Sequence, residues 1–311
     1  MSGILFTFPG QGAQKPGMLH ALPDHAEVRR TLEQAGAVLG GDPLRMDSAQ
    51  ALQSTVAVQL CLLICGVAMA RVFAAHGARP DMVAGLSIGA YPAAVAAGLL
   101  DYGAALSLVR RRAQLMQDAY PQGYGMTAIS GLDQGRLAPL IASVHGRQSP
   151  VYLANLNGPR QLVIAGADAA LQAVAALALQ AGASRAERLA VNVPSHCELY
   201  AAVALQMQAA FAQVTLHRPQ LTYISGSAAR ALFDPSRIAD DLAANVARQV
   251  HWHDTARHAW ERGARLALEM PGGSVLTGLS APLFDDGQAL SCDASRLDNL
   301  LALSERQRGA L

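Results

Sequence analysis

The chain has 311 residues, which is enough for two domains or for one large α/β domain with an insertion. Just over half of the residues are apolar and 15% are charged, so a large core can form. The formal net charge of +1 offers no concentrated basic face for nucleic acid or an anionic membrane surface. No Lys or Arg precedes Lys15, so the start lacks the charged region of a signal peptide, and we expect a cytoplasmic protein.

The apolar and metal-binding patterns exclude further classes. The longest apolar stretch, residues 60–70, is followed by Arg71 and is shorter than the roughly 20 residues that a bilayer span needs, so we predict a buried helix. The four cysteines contain no C-x-x-C pair, which favours buried free thiols. His251-Trp252-His253 has no third ligand at a suitable spacing, so we expect no metal.

The first predicted elements alternate between strand and helix. Residues 4–8 form an apolar run that ends at Pro9-Gly10, and residues 81–84 form a second run that leads directly into Gly85. Each run predicts a buried strand, with helices between and after the two. This alternation is typical of an α/β unit built on a parallel sheet.

From about Gly123 the pattern changes. It predicts strands at residues 126–129, 151–154, 161–165 and 184–191, and helices at residues 132–144 and 168–181. This order is that of a split βαβ module. After Pro194 helices return, and residues 265–269 predict one more core strand. We therefore expect a core from residues 1–123 and 193–311, with a small subdomain inserted at residues 124–192.

A G-x-S-x-G motif, Gly85-Leu86-Ser87-Ile88-Gly89, lies between the second strand and an apolar helical run. Glycine neighbours let a serine on a sharp strand-to-helix turn project its hydroxyl freely. The backbone amide of Ile88, at a helix N-terminus, would favour an oxyanion at the same point. We predict that Ser87 is a nucleophile, and an ordinary glycine-flanked turn is the alternative.

The glycine-rich loop Pro9-Gly10-Gln11-Gly12-Ala13-Gln14 does not match a nucleotide-binding loop. G-x-G-x-x-G would need glycine where Lys15 stands, and the sequence contains no G-K-[ST]. The loop could present the Gln11 amide as a second oxyanion-hole donor, and such donors are each worth roughly 2.7–4 kcal/mol. A plain turn fits the segment equally well.

Two further side chains are candidates for a site. In the helix predicted at residues 101–119, Arg112 lies at the centre of the apolar stripe, whereas Arg110 and Arg111 point away from it. A buried guanidinium needs an anion, either an internal acid or the carboxylate of a ligand. His196 follows a predicted apolar strand at residues 189–193 and a turn, a place where α/β folds put functional groups. A general base and a structural histidine both fit it, and no acid stands out as its partner.

Together these segments resemble the malonyl-CoA:acyl-carrier-protein transacylase family over nearly the whole chain. The matching segments are Phe8-Pro9-Gly10-Gln11-Gly12-Ala13-Gln14, Gly85-Leu86-Ser87-Ile88-Gly89, Arg112 to Gln117, Val193-Pro194-Ser195-His196-Cys197 and Pro271-Gly272 to Leu279. The resemblance implies an α/β-hydrolase-like core that carries a ferredoxin-like subdomain.

The resemblance also implies a chemistry. A malonyl group would pass from malonyl-CoA through an acyl-enzyme to the phosphopantetheine-type thiol of an acyl carrier protein, with no bound cofactor or metal. The implied roles are Ser87 as nucleophile, His196 as base, the Gln11 and Ile88 amides as oxyanion hole, Arg112 as clamp for the malonyl carboxylate, and the Asn245 backbone carbonyl as the group that orients the histidine.

One departure from the family pattern bears on the pathway. The family usually carries histidine before the serine and an acid after the second glycine, where this chain has Leu86 and Ala90-Tyr91. Those residues, with Gly123-Tyr124-Gly125-Met126, are similar to the malonate decarboxylase epsilon subunit, which loads malonyl onto the carrier subunit of the decarboxylase. We therefore predict that role. The alternatives are a transacylase of fatty-acid or polyketide synthesis, a serine esterase or thioesterase, and a non-catalytic subunit that docks a carrier protein.

Overall fold

The computed structural model describes residues 3–309, and within them ten strands form two sheets. The strands are β1 (Gly3–Phe8), β2 (Met82–Gly85), β3 (Tyr124–Ser130), β4 (Val151–Gly158), β5 (Gln161–Ala167), β6 (Arg185–Arg188), β7 (Thr222–Ser225), β8 (Arg230–Leu232), β9 (Ala264–Glu269) and β10 (Gln288–Ser291). The α-helices are α1 (Ala26–Leu39), α2 (Thr55–Ala75), α3 (Ala90–Ala96), α4 (Tyr102–Ala119), α5 (Gln134–Val144), α6 (Asp168–Gln180), α7 (Ala201–Phe211), α8 (Pro235–Ala244), α9 (Trp252–Glu261), α10 (Val275–Ser280) and α11 (Leu297–Gly309).

The larger sheet has the order β10-β9-β1-β2-β7-β8, and all of its pairs are parallel except β7 with β8. Strands β1 and β2 are apolar and almost entirely buried, as expected for parallel strands covered on both faces. Phe8 pairs with Gly85 at the carboxyl ends of these two strands. The loop after β1 and the turn after β2 therefore leave the sheet side by side, which brings the Gln11 loop next to Ser87.

Helix α2 is the central helix of the core. The hydroxyl of Ser54 accepts a hydrogen bond from the Val56 amide and caps its start. By length and composition alone α2 is apolar enough to cross a membrane, but 83% of its most apolar window is buried within the protein, where α1, α3 and α4 pack against it. The predicted buried helix at residues 60–70 is therefore confirmed, and it belongs to a longer one.

The smaller sheet has the order β4-β5-β3-β6 and is antiparallel throughout. Helices α5 and α6 pack on one face through an apolar cluster that includes Ile129, Leu137 and Val174. The opposite face, with Met126 and Val163, joins the main core. The order of strand, helix, strand, strand, helix, strand is the one the sequence predicts, whereas the subdomain limits at 124 and 192 stay a prediction.

The sequence-based prediction was wrong in two places. The strand predicted at residues 184–191 is present as β6 but ends at Arg188, and the apolar strand predicted at residues 189–193 does not form, because the chain runs irregularly from there as far as Cys197. It also gave a single core strand after Pro194, whereas β7, β8 and β10 are present as well. Strands β8 and β10 are short, half-exposed edge strands, so they lack the continuous apolar run that marks a buried strand.

Candidate active site

Ser87 is the second residue after β2 and begins a short 3₁₀ turn that leads into α3. Its backbone φ of +56° lies in the left-handed region, where a residue other than glycine is strained. A Cβ atom on Gly85 would lie 2.0 Å from the carbonyl carbon of Gly89, and one on Gly89 would lie 2.0 Å from the carbonyl oxygen of Phe8. Close backbone approach therefore requires both glycines of the G-x-S-x-G motif.

Ser87 opens onto a cleft of about 170 Å³ between the carboxyl ends of β1 and β2 and the inner face of the smaller sheet. Gln11 and His196 line the same cleft. Neither the Gln11 nor the Ile88 backbone N–H is hydrogen bonded to another group within residues 3–309. Two backbone amides without a hydrogen-bond partner, one on the residue after Ser87 and one on the neighbouring loop, are therefore available as oxyanion-hole donors.

His196 is buried, and its backbone φ is +67°. Its Nδ1 lies 2.8 Å from the carbonyl oxygen of Asn245 and 3.1 Å from that of Arg248. Because both partners are acceptors, Nδ1 carries the proton and Nε2 keeps a free lone pair. Burial, and then the charge of Arg112, lower the pKa of His196 to about 4. The ring is therefore a neutral base at pH 7.

Ser87 and His196 line one cleft, but within residues 3–309 no hydrogen bond joins the Ser87 hydroxyl to the imidazole. The hydroxyl instead accepts a hydrogen bond from Arg112 Nη2 at 3.3 Å. Contacts between a nucleophile and its base are often loose before substrate binds. The structure thus places these two predicted side chains in one cleft without a direct hydrogen bond between them.

Arg112 is 1% exposed and lies against the Ser87 hydroxyl. Its Nη1 donates to Gln59 Oε1 at 2.6 Å, and its Nη2 donates to Asn245 Oδ1 at 3.2 Å. Its Nε is buried without a partner, and no carboxylate within residues 3–309 forms an ion pair with it. Burial lowers the pKa of Arg112 from its usual value. The alternative of an internal salt bridge is therefore wrong, and a buried cation without a counter-charge lies next to the serine.

Two polar side chains at this site were not predicted from the sequence. The resemblance pointed only to the backbone carbonyl of Asn245, but the side chain also contacts Arg112, and its Nδ2 donates to the Ser87 carbonyl oxygen at 3.3 Å. Gln59 is the partner of Arg112 on α2 and is fully buried. Gln59 is the only side-chain amide in the apolar helix α2. A lone polar residue on an apolar helix face is the signal that identified Arg112, and it could have identified Gln59 as well.

Arg188 holds one wall of the cleft in place. Its guanidinium donates to the Asp168 carboxylate and to four backbone carbonyls, those of Tyr124, Met126, Leu189 and Val191. Leu189 and Val191 line the cleft. These hydrogen bonds from Arg188 hold the segment after β6 in place although it does not form a strand.

Two other kinds of catalytic group, a cysteine nucleophile and a metal ion, were considered for this cleft. Cys197 follows His196, but burial raises the pKa of its thiol to about 12, so it is protonated at neutral pH. Within residues 3–309 no group of three or more His, Cys, Asp or Glu side chains is arranged to hold a metal ion. Ser87 is thus the nucleophile best placed for chemistry in this cleft.

Comparison with known proteins identifies the class. A family model described as an acyl transferase domain matches residues 5–288. A malonyl CoA-acyl carrier protein transacylase from Haemophilus influenzae is 36% identical over 299 residues, which cover 94% of this chain and 95% of that protein. The chain therefore belongs to the acyl transferase family, and it is an acyltransferase.

Solved structures agree with this assignment. An acyl carrier protein S-malonyltransferase from Vibrio cholerae superposes with a TM-score of 0.89 at 34% identity, over 97% of this chain and 100% of the other. A malonyl-transacylase solved in complex with a type II PKS acyl-carrier protein gives a TM-score of 0.89 at 33% identity, over 97% and 99% of the two chains. The α/β fold with a parallel sheet is thus confirmed.

Proposed function

We propose that this acyltransferase moves a malonyl group from malonyl-CoA to the phosphopantetheine thiol of an acyl carrier protein, as the transacylase of fatty-acid or polyketide synthesis. The similarity to malonyl transacylases over almost the whole chain supports this function. The observation that carries it is the guanidinium of Arg112, which is buried, has no acidic partner within residues 3–309 and lies 3.3 Å from the Ser87 hydroxyl. Malonyl is an acyl group with the carboxylate that such a cation needs.

The proposed reaction has two half-reactions. Ser87 Oγ attacks the thioester carbonyl while His196 Nε2 takes its proton, and the Gln11 and Ile88 amides hold the oxyanion. The tetrahedral intermediate collapses, and the CoA sulfur leaves with the proton from His196. The carrier thiol then gives its proton to His196 and attacks the Ser87 ester, and the proton returns to Ser87 Oγ as the malonyl group leaves.

Arg112 sets the acyl specificity in this proposal. A charge-assisted contact to the malonyl carboxylate is worth roughly 1.5–3 kcal/mol, which corresponds to about 10- to 150-fold against acetyl. Acetyl offers no carboxylate, so it leaves the buried guanidinium without an anion. The preference of the enzyme for malonyl-CoA over acetyl-CoA therefore measures the contribution of Arg112 to substrate binding.

The test measures acylation of Ser87 by intact-protein mass spectrometry with malonyl-CoA and with acetyl-CoA. We expect Arg112→Ala to lose its preference for malonyl while still forming an acyl adduct on Ser87. Arg111→Ala is the matched control, because Arg111 is the exposed neighbour on α4 and should keep the preference. Unchanged discrimination in Arg112→Ala would rule out the clamp. Steady release of malonate without any acceptor would favour an esterase or thioesterase instead.

A second candidate function is the epsilon subunit of malonate decarboxylase. Leu86 and Ala90-Tyr91 favour it, because they replace the histidine and the acid that are usual in the transacylase motif. Tyr91 is fully buried, donates to the Leu242 carbonyl oxygen at 3.1 Å, and has its ring centroid 5.8 Å from the Arg112 guanidinium carbon. Faster transfer to a decarboxylase carrier subunit than to a fatty-acid or polyketide carrier would select this role.

The finer fold assignment is also a proposal. We assign residues 1–123 and 193–311 to an α/β-hydrolase-like core, supported by the parallel larger sheet, and residues 124–192 to a ferredoxin-like subdomain, supported by the strand order β4-β5-β3-β6. Residues 1, 2, 310 and 311 fall within those limits but outside the described residues. A cytoplasmic location stays a prediction from the sequence.

A further inference from the structure

A second cavity, of about 410 Å³, lies at the opposite end of the larger sheet from Ser87. Arg79-Pro80 precede β2 and Gln220-Leu221 precede β7, so the cavity lies beside the amino ends of these parallel strands, whereas Ser87 follows a carboxyl end. Within residues 3–309 it shares no lining residue with the cleft that contains Ser87. Its volume is in the range of about 300–1,000 Å³ that is typical of small-molecule sites. The cavity is therefore large enough for a ligand that takes no part in the proposed transfer.

The walls of this second cavity are mostly aliphatic. They are formed by α2 on one side and by the segment from the end of α3 to the start of α4 on the other. The aliphatic side chains that line the cavity include those of Val67, Ala70, Ala74, Val95, Leu100 and Leu221. Such walls are stabilised by covering hydrocarbon and offer no partners to polar atoms. An occupant therefore needs an apolar chain.

Arg71 of α2 places a cation in the wall of the second cavity. Its Nη1 donates to Thr31 Oγ1 at 2.8 Å and to Gln34 Oε1 at 2.9 Å, and its guanidinium carbon lies 4.9 Å from the centroid of the Tyr102 ring. These contacts fix the orientation of the guanidinium. Its Nε and Nη2 make no hydrogen bond within residues 3–309 and are not sealed in the core. One edge of the guanidinium is thus free to bind a ligand.

No carboxylate within residues 3–309 forms an ion pair with Arg71. The charge of Glu27 reaches it, but the carboxylate of Glu27 pairs with Arg30. Burial, and then the charge of Arg30, lower the pKa of Arg71 from its usual value. Asp101 also lines the cavity, but it is exposed and is outnumbered there by Arg71 and Arg79. The cavity therefore has an excess of positive charge and favours an anion.

We infer that the second cavity binds an aliphatic carboxylate, whose two oxygens accept hydrogen bonds from the free edge of Arg71 and whose chain lies along the apolar walls. The flat edge of a guanidinium, with its two donors, matches the two oxygens of a carboxylate. A phosphate group would bring further oxygens to walls that cannot satisfy them. The ligand class is thus that of short-chain and medium-chain fatty acids, and their binding is independent of the proposed malonyl transfer.

The test is calorimetric titration with octanoate, 1-octanol and acetate, which carry the chain and the carboxylate, the chain alone and the carboxylate alone. We expect octanoate to bind about 10- to 150-fold more tightly than 1-octanol, the range for one charge-assisted contact. Acetate should bind more weakly than octanoate, because it lacks the chain. Arg71→Leu keeps the apolar bulk but removes the guanidinium, so it should abolish the preference for octanoate over 1-octanol.

Arg110→Leu is the matched control, because Arg110 is an exposed arginine of α4 that does not line the second cavity, and it should keep the preference. Ala74→Trp places a large side chain in the cavity and should prevent the binding of octanoate without changing the charge. Thermal denaturation of each variant shows that the fold is kept.

Arg112→Ala separates the second cavity from the cleft that contains Ser87, because octanoate could also pair with the buried guanidinium of Arg112. We expect Arg112→Ala to bind octanoate with the affinity of the wild type. Loss of binding in Arg112→Ala would place the ligand in the cleft of Ser87 and overturn the inference. An unchanged preference for octanoate in Arg71→Leu, or no binding of octanoate to the wild type, would overturn it as well.

Discussion

Asn245 contacts three candidate residues of the site, Ser87, Arg112 and His196. Its backbone carbonyl accepts a hydrogen bond from His196 Nδ1, its Oδ1 accepts one from Arg112 Nη2, and its Nδ2 donates to the Ser87 carbonyl oxygen. The proposed base, the proposed clamp and the strained turn at Ser87 are thereby fixed relative to one another. Asn245 is a positioning residue in this arrangement, since it acts through its neighbours.

Asn245→Asp should weaken the preference for malonyl. The new carboxylate would give Arg112 an internal counter-charge and repel the carboxylate of malonyl, so we expect kcat/KM for malonyl-CoA to fall about 10- to 150-fold relative to acetyl-CoA. Asn245→Ala removes an anchor without adding a charge and should cause a smaller loss. Asn192→Asp, on the surface, is the control. Wild-type preference in Asn245→Asp would contradict the contact with Arg112.

The pH dependence follows from the buried imidazole. Only the neutral ring can take a proton from Ser87, and burial followed by the Arg112 charge lowers the pKa of His196 to about 4. We therefore expect kcat/KM for acylation of Ser87 to stay level from pH 8 to pH 5 and to fall as the pH approaches about 4. In Arg112→Ala the repulsion is lost, the pKa of His196 rises, and the fall should begin at a higher pH. An acid limb near the ordinary histidine pKa in the wild type would contradict the buried, neutral ring.

Motifs predicted part of the site, and geometry supplied the rest. Ser87, Arg112 and His196 could be found because each stands out against its own element, as a serine between glycines, a cation on an apolar stripe and a histidine after a turn. The side chain of Asn245 carries no comparable signal. Its hydrogen bonds to Arg112 and to the Ser87 carbonyl oxygen join segments far apart in the chain, and only three-dimensional packing reveals them.

At the scale of elements, the junction of β1, β2 and α3 is the most tightly constrained part of the site. Gly89→Ala would place a methyl group 2.0 Å from the Phe8 carbonyl oxygen, which is backbone and cannot move aside. Overpacking typically costs about 1–3 kcal/mol, and each kcal/mol lowers the Tm of a protein of this size by roughly 2–4 °C. We expect Gly89→Ala to lower the Tm by about 2–12 °C and to slow acylation of Ser87.

Gly278→Ala is the control for that prediction. Gly278 is an exposed residue of α10 with open space around its Cα, so alanine should raise the stability slightly through its better helix propensity. Equal Tm values for Gly89→Ala and Gly278→Ala would contradict the close approach of α3 to β1.

The elements predicted from the sequence are those whose local pattern agrees with their final burial. Strands β1, β2 and β9 are apolar runs and were found, whereas β7 is a four-residue segment and β8 and β10 lie at the sheet edges. The segment after Arg188 has strand-like composition. The Arg188 guanidinium nevertheless binds its backbone carbonyls at Leu189 and Val191 and directs it along the cleft. Here tertiary contacts override the local preference for a strand.

At the scale of the whole molecule, burial in the core makes the cysteine thiols unreactive. Cys61, Cys65 and Cys197 are buried, and burial raises the pKa of Cys61 and of Cys197 to about 12. Because the thiolate is the reactive form, we expect slow reaction of the native protein with a disulfide reagent at pH 8 and rapid titration of all four cysteines after unfolding. Rapid modification of native Cys197 with loss of acylation would contradict the burial next to His196.

The strand order also has a consequence for biosynthesis. β1 and β2 lie in the middle of the larger sheet, while β9 and β10 on one flank and β7 and β8 on the other come from the last third of the chain. In a nascent polypeptide β1 and β2 are thus made well before the strands that flank them on either side. Such non-local closure is slow, so we expect chaperones to shield these apolar strands until synthesis is nearly complete.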